Sequence, residues 1–321
     1  MAKTFRQMID YSQQPRTLTL IINSATTYYF AALAVGLGSA PALAEISVAA
    51  TIKPVHSLVA AVMAGVGEPG LVLDGPVSPH VTGLRPSQAR IIENAEVVFA
   101  VGEGLEAFLP TLMEADGGAR IVELAEAPGV ERLDYRDADE DDGHDHEHGG
   151  VNPHVWLDPV NAKAMAAHIA TVLGTADPAN ADTYASNAEA LVLDLEVLES
   201  EIAAELAPVK ERPFLVFHDA YHYFEQAFGL SGLGAIVLNP ETPPGARRLQ
   251  EIRHRIDEED VACVFSEPQF EIGYVTTVLE GTGARTASLD PLGVTIEPGP
   301  DAYRRMLTEL TDTLVDCLAG R

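Results

Sequence analysis

Basic side chains are scarce. The 321-residue chain sets 20 Lys and Arg against 48 Asp and Glu, a formal charge of −28 at pH 7. Such a field repels nucleic-acid phosphates and anionic membrane surfaces, which excludes partners of those classes, and it suits a cationic ligand. Cysteine is nearly absent too, with two in the chain, and neither their spacing nor their neighbours form a thiolate metal site or a redox motif. The metalloprotease pattern H-E-x-x-H is missing. Beyond residue 44 no stretch is apolar for the roughly 20 residues that a spanning helix needs. Against these absences, 47 % apolar and 21 % charged residues lie in the globular range, and the length predicts about two domains.

The N-terminus reads as an export signal. Lys3, Arg6 and Arg16 precede an apolar, small-residue run from Tyr28 to Leu43, closed by Ala42-Leu43-Ala44 before Glu45, a small-x-small cleavage pattern. Residues 1–44 are therefore expected to be removed and the mature chain to reside in the periplasm. The competing reading, a membrane anchor, is disfavoured by Gly36, Gly38 and Pro41 and by the run's shortness. Export to an oxidising compartment favours pairing Cys263 with Cys317. Two separate buried thiols are the alternative.

Along the mature chain, short β-branched runs alternate with helical patterns, at Ile46–Ile52, Glu96–Val101, Arg120–Leu124, Phe214–Phe217 and Val261–Phe265. This is the signature of an α/β fold with parallel sheets. Between the halves, Tyr184, Ala188, Leu191, Leu195, Leu198, Ile202 and Leu206 recur at steps of three and four, which predicts one long amphipathic helix over 180–206, about 40 Å in length. Pro208 and Pro213 bracket its end. The expected organisation is a signal at 1–44, an N-terminal βα lobe at 45–178, a linker helix at 179–208 and a C-terminal βα lobe at 209–321.

Within the first lobe, Glu131 to Gly150 reads ERLDYRDADEDDGHDHEHGG, with almost nothing to bury, and is expected to be a mobile acidic loop. His144, His146 and His148 alternate there with Asp145 and Glu147, donors that suit zinc, copper or nickel. Ordering such a segment costs backbone entropy, so capture there is expected to be weak. A solvated linker with incidental histidines is the plainer reading.

Three other histidines sit at turns or strand ends. His80 follows Ser78-Pro79, His154 lies in the proline-bounded NPHVWLDP, and His218 ends the run FLVF. The carboxyl edge of a parallel sheet is where ligand-binding groups gather, and three imidazoles make an incomplete tetrahedral zinc set. Each of them also fits a hydrogen-bonded core or surface histidine. His222, four residues after His218, and His56, at a helix start, are minor candidates. His168 and His254 read as solvated helix positions.

His80 with LRPS, the acidic His-rich loop, NPHVWLDP, FHDAYHYFEQAFGL, NPETPPGARRL, CVFSEPQF and LDPLG together resemble the zinc-specific solute-binding proteins of bacterial ABC importers, the ZnuA type of cluster A-I. The resemblance runs from about Ile46 to the C-terminus and is specific as a set. It implies two βα lobes joined by a rigid long helix, with the metal in the cleft between them. It further implies zinc ligation by His80, His154 and His218 and a Cys263–Cys317 disulfide. Some relatives have a glutamate just before the first histidine, where this chain has Pro79. The fourth position is therefore expected to fall to Asp290 of LDPLG or to water. Imidazole rather than a hard oxygen at position 218 favours zinc over manganese or iron.

The implied activity is capture of Zn²⁺ and its delivery to a membrane permease with its ATPase, by a monomer that is not an enzyme. A periplasmic zinc chaperone is a further possible partner. The competing readings are a manganese or iron binder of the same fold, a metal buffer without a transporter, and a zinc hydrolase with Glu225 or Glu267 as its base.

Overall fold

The computed structural model describes residues 46–113, 118–136, 150–237 and 240–321. The expected signal sequence and the histidines at 144, 146 and 148 lie outside the described residues.

The buried β-branched runs become strands and the prolines start helices. β1 (Val48–Ala50) leads into α1 (Lys53–Val62), which has Pro54 in its first turn. A proline there forfeits only an N–H that has no helical partner. The first half continues through β2 (Gly70–Leu71), α2 (Pro86–Glu93), β3 (Val97–Ala100), α3 (Leu109–Met113) and β4 (Arg120–Glu123). Then come α4 (Pro159–Ala176), whose first turn is capped where Asp158 Oδ1 accepts from Val160 N at 2.7 Å, and α5 (Ala181–Leu206). The second half is β5 (Phe214–His218), α6 (His222–Phe228), β6 (Gly232–Val237), α7 (Ala246–Glu258), β7 (Cys263–Ser266), α8 (Gly273–Leu279), β8 (Arg285–Ser288) and α9 (Ala302–Ala319).

Each half builds a four-stranded, wholly parallel sheet, and the two share one topology: β2-β1-β3-β4 and β6-β5-β7-β8. The inner strands β1, β3, β5 and β7 are buried at every residue, as sheets covered on both faces require. β5 is flanked by β6 on one side and β7 on the other. Its carboxyl end is therefore the switch point of the second sheet, where α/β folds hold ligands.

The long helix runs one residue shorter than the sequence predicts. Tyr184, Ala188, Leu195, Leu198, Ile202 and Leu206 are buried along it, while Leu191 is half-buried. Each large apolar side chain buried this way stabilises the fold by about 1.5–3 kcal/mol relative to exposure. One continuous apolar core spans both sheets, and a smaller cluster fills the space between β5–β7 and α7–α8.

Polar ties also join the halves. Lys53 Nζ, buried, donates to the carbonyls of Gly293, Val294 and Ile296 at 2.9, 3.0 and 2.7 Å. Three acceptors offset much of the cost of burying an ammonium group. Trp156 Nε1 donates to Pro291 O at 2.9 Å, and Tyr303 Oη to Trp156 O at 2.7 Å. A disulfide links Cys263 on β7 to Cys317 on α9, the pairing that export predicts. Among the described residues, no helix is long and apolar enough to cross a membrane.

Candidate metal centre

His218 is the last residue of β5, so the buried strand delivers its ring to the sheet's carboxyl edge. His154 precedes the 3₁₀ turn Val155–Leu157, which buries Trp156 completely and anchors it to the second half. His80 lies on the turn that follows β2, where Ser78 Oγ accepts from its backbone N–H at 3.3 Å.

These three histidines, separated by 74 and 64 positions in the chain, converge. One ring nitrogen from each lies within 4.8 Å of the other two, the one such group among the described residues. Ring centroids stand 5.4, 5.7 and 5.0 Å apart for the pairs 80–154, 80–218 and 154–218. The cavity they line is about 10 Å³, room for one water molecule or one ion. Its remaining walls are largely apolar, with Pro79, Trp156, Phe270, Pro291 and Leu292.

The hydrogen bonds around the rings decide which nitrogens face inward. His154 Nδ1 lies 2.8 Å from Asn152 Oδ1, and Asn152 is held in that orientation because its Nδ2 donates to Asp219 O at 2.7 Å. His218 Nδ1 lies 2.5 Å from Glu267 Oε1. The carboxamide and carboxylate oxygens accept from the two Nδ1 atoms, so each ring turns its Nε2 edge toward the cavity. The two Nε2 atoms stand 3.2 Å apart, close to the roughly 3.3 Å that separates two ligands about 2.0–2.1 Å from a tetrahedral zinc ion. His80 adds a buried Nε2 that has no hydrogen-bond partner.

Electrostatics agree with this donor set. Burial, with His218 nearby, pushes the His80 imidazole down to about 3, and burial followed by His218 and His80 holds His154 well below its ordinary value. Both rings are thus neutral at pH 7, the form that coordinates metal.

The other sequence candidates fall outside this group. Asp290 is not among the atoms that converge within 4.8 Å; its Oδ1 accepts from Leu292 N at 3.1 Å and Gln269 Nε2 at 3.0 Å, and its Oδ2 accepts from Val294 N at 2.5 Å. The carboxylate organises its own loop instead. His56 is buried on α1 with Nε2 3.0 Å from Pro69 O. His222 opens α6 after a turn, so the four-residue spacing from His218 does not place the two on one helix face. Of the candidate bases, Glu225 is paired with Arg136 Nη1 at 2.6 Å, while Glu267 lines the histidine cavity. Asn152, to which the sequence reading gives no role, orients His154 by accepting from its backbone N–H and its Nδ1. Its position two residues before His154 is the signal, since Asn side chains bond backbone two residues on.

The family model described as "ZnuA: Zinc-uptake complex component A periplasmic" matches residues 48–317. The chain belongs to that family. It is 43% identical over 315 residues to the high-affinity zinc uptake system protein ZnuA of Brucella suis biovar 1, covering 88% of this chain and 94% of that protein. The Yersinia pestis protein of the same name is 37% identical over 293 residues, covering 86% and 92%. Among solved structures, a ZnuA deletion mutant with zinc bound superposes with a TM-score of 0.72 at 24% identity, over 85% of this chain and 97% of that one, a likeness of fold. Membership places the chain among components of a zinc-uptake complex.

Proposed function

We propose that the exported chain is a periplasmic zinc-binding protein that captures Zn²⁺ between His80, His154 and His218 and delivers it to the permease of an ABC importer. The observation that carries this reading is the convergence of one ring nitrogen from each of His80, His154 and His218 within 4.8 Å of one another, two of them held by outward hydrogen bonds. Imidazole donors favour zinc over manganese and iron. A water molecule takes the fourth position in this reading, since Asp290 is not among the atoms that converge with the three histidines. In this reading the two sheets with their helices act as lobes at 45–178 and 209–321, the helix at 179–208 joins them, and residues 1–44 are the cleaved signal.

No bond is made or broken in the cargo, and the protein is not an enzyme. The acidic surface raises the encounter rate with a dication, an effect that fades with salt. The test is zinc uptake into proteoliposomes that hold the cognate permease and ATPase. Uptake that depends on the zinc-loaded chain supports delivery. Uptake at the same rate without the chain would reduce it to a metal buffer.

A further inference from the structure

Glu267 follows β7 directly, beside the end of β5 that carries His218. Its side chain is 1% exposed, and it lines the same cavity as the three histidines. One oxygen, Oε1, takes the Nδ1 proton of His218 at 2.5 Å. The other, Oε2, is buried and has no hydrogen-bond partner. A buried carboxylate oxygen without a donor is costly. The carboxylate is also absent from the group of atoms that converge within 4.8 Å, so it does not close the shell directly. Three neutral imidazoles leave a bound Zn²⁺ with its full double charge in a largely apolar cavity, and Glu267 supplies the one carboxylate among the residues that line it.

Resting on the zinc reading above, we infer that Glu267 is the positioning residue of the metal centre: Oε1 fixes the His218 tautomer, and Oε2 accepts a hydrogen bond from the water molecule that completes the coordination shell. The paired oxygens thereby set both the direction of one protein ligand and the place of the solvent ligand. They also halve the net charge that the cavity buries. Carboxylate–histidine–metal relays of this kind raise ligand basicity, and their loss weakens metal binding by about 10–100-fold.

The test uses the mature chain with Zn²⁺ in competition titrations and Co²⁺ as a spectroscopic probe, in the parent, Glu267→Gln and Glu267→Asp. The amide keeps size and one acceptor for His218 but removes the charge and turns a donor toward the water. The expected result for Glu267→Gln is zinc affinity lower by about 10–100-fold and an altered Co²⁺ ligand-field spectrum. Glu267→Asp, which keeps the charge, is expected to recover part of the affinity. If Glu267→Gln does not fold, Glu267→Asp decides, because its shorter arm withdraws at least one oxygen and is expected to change the Co²⁺ spectrum. Variants that melt at lower temperature yet keep parental zinc affinity and Co²⁺ spectrum would overturn the inference and leave Glu267 a packing residue. A parent that fails to bind one zinc would instead overturn the zinc reading itself, and that result is seen before any variant is compared.

Discussion

Asn152 Oδ1 accepts from both nitrogens of His154 that point away from the cavity, the backbone N–H at 3.1 Å and Nδ1 at 2.8 Å. One amide thus fixes the turn and the tautomer together. Its own Nδ2 reaches Asp219 O, the residue next to His218, so two ligand positions 64 residues apart share one support. Asn152→Ala is expected to weaken zinc binding by about 10–100-fold, as is usual for groups that orient a metal ligand. A competition titration measures it, and a folded variant with parental affinity would assign Asn152 to the turn alone.

The acid response of the zinc-free protein follows from the same rings. Burial, with His218 nearby, pushes His80 down to about 3 in the folded chain from the ordinary 6.5, and burial shifts His154 down as well. Below pH 6.5 the unfolded chain binds protons that the folded chain refuses. The stability is therefore fully present above 6.5 and is lost as pH falls toward 3. Between pH 6.5 and 5 one such group accounts for at most about 2 kcal/mol. Urea unfolding of the parent should accordingly show a steeper loss across that interval than His80→Asn/His154→Asn. Equal slopes would mean that the rings are already protonated in the fold.

How much of this was legible beforehand depends on the strength of each local pattern. β1, β3, β4, β5 and β7 announce themselves as β-branched runs, and the stripe from Tyr184 to Leu206 fixes α5 almost to the residue. β2, with two residues, and β8, Arg-Thr-Ala-Ser, offer too little apolar signal, and β6 opens Gly-Leu-Gly. Periodicity cannot see strands that owe their place to the neighbour they pair with. At the site, the histidines were visible as residue types and through a family likeness, but their convergence is a tertiary fact. Asp290 shows the opposite limit. A carboxylate in LDPLG has the right chemistry for a ligand, and the sequence does not show that Leu292 N, Val294 N and Gln269 Nε2 all donate to it in the fold.

The disulfide offers a stability test that leaves the metal centre alone. Cys263 and Cys317 are 54 positions apart, and closing a loop of that size restricts the unfolded chain by about 4 kcal/mol on the loop-entropy estimate. Cys263→Ser/Cys317→Ser should lose stability of that order in zinc-free denaturant titrations while still binding one zinc. Loss of zinc stoichiometry in the folded double variant would show that β7, and Glu267 after it, depends on the link to α9.

Arg136 ends the described stem of the acidic segment and reaches into the second half, where its Nε donates to Asp219 Oδ1 at 2.7 Å and its Nη1 to Glu225 Oε2 at 2.6 Å. Both acids are buried. Burial pushes the Glu225 carboxyl up to about 7 against the pull of Arg136. Arg136→Met strands these carboxylates without their cation and is expected to cost about 3–5 kcal/mol. Adding Asp219→Asn and Glu225→Gln should recover most of it in urea unfolding. No recovery would place the loss in the packing of the arginine stem.

Zinc stoichiometry, with manganese as competitor, in the mature protein and in His80→Ala/His154→Ala/His218→Ala tests the central claim most directly. The account predicts one tightly bound zinc that manganese does not displace and that the triple variant lacks. Tight zinc surviving in the triple variant would contradict it and move the principal site away from the ends of these strands.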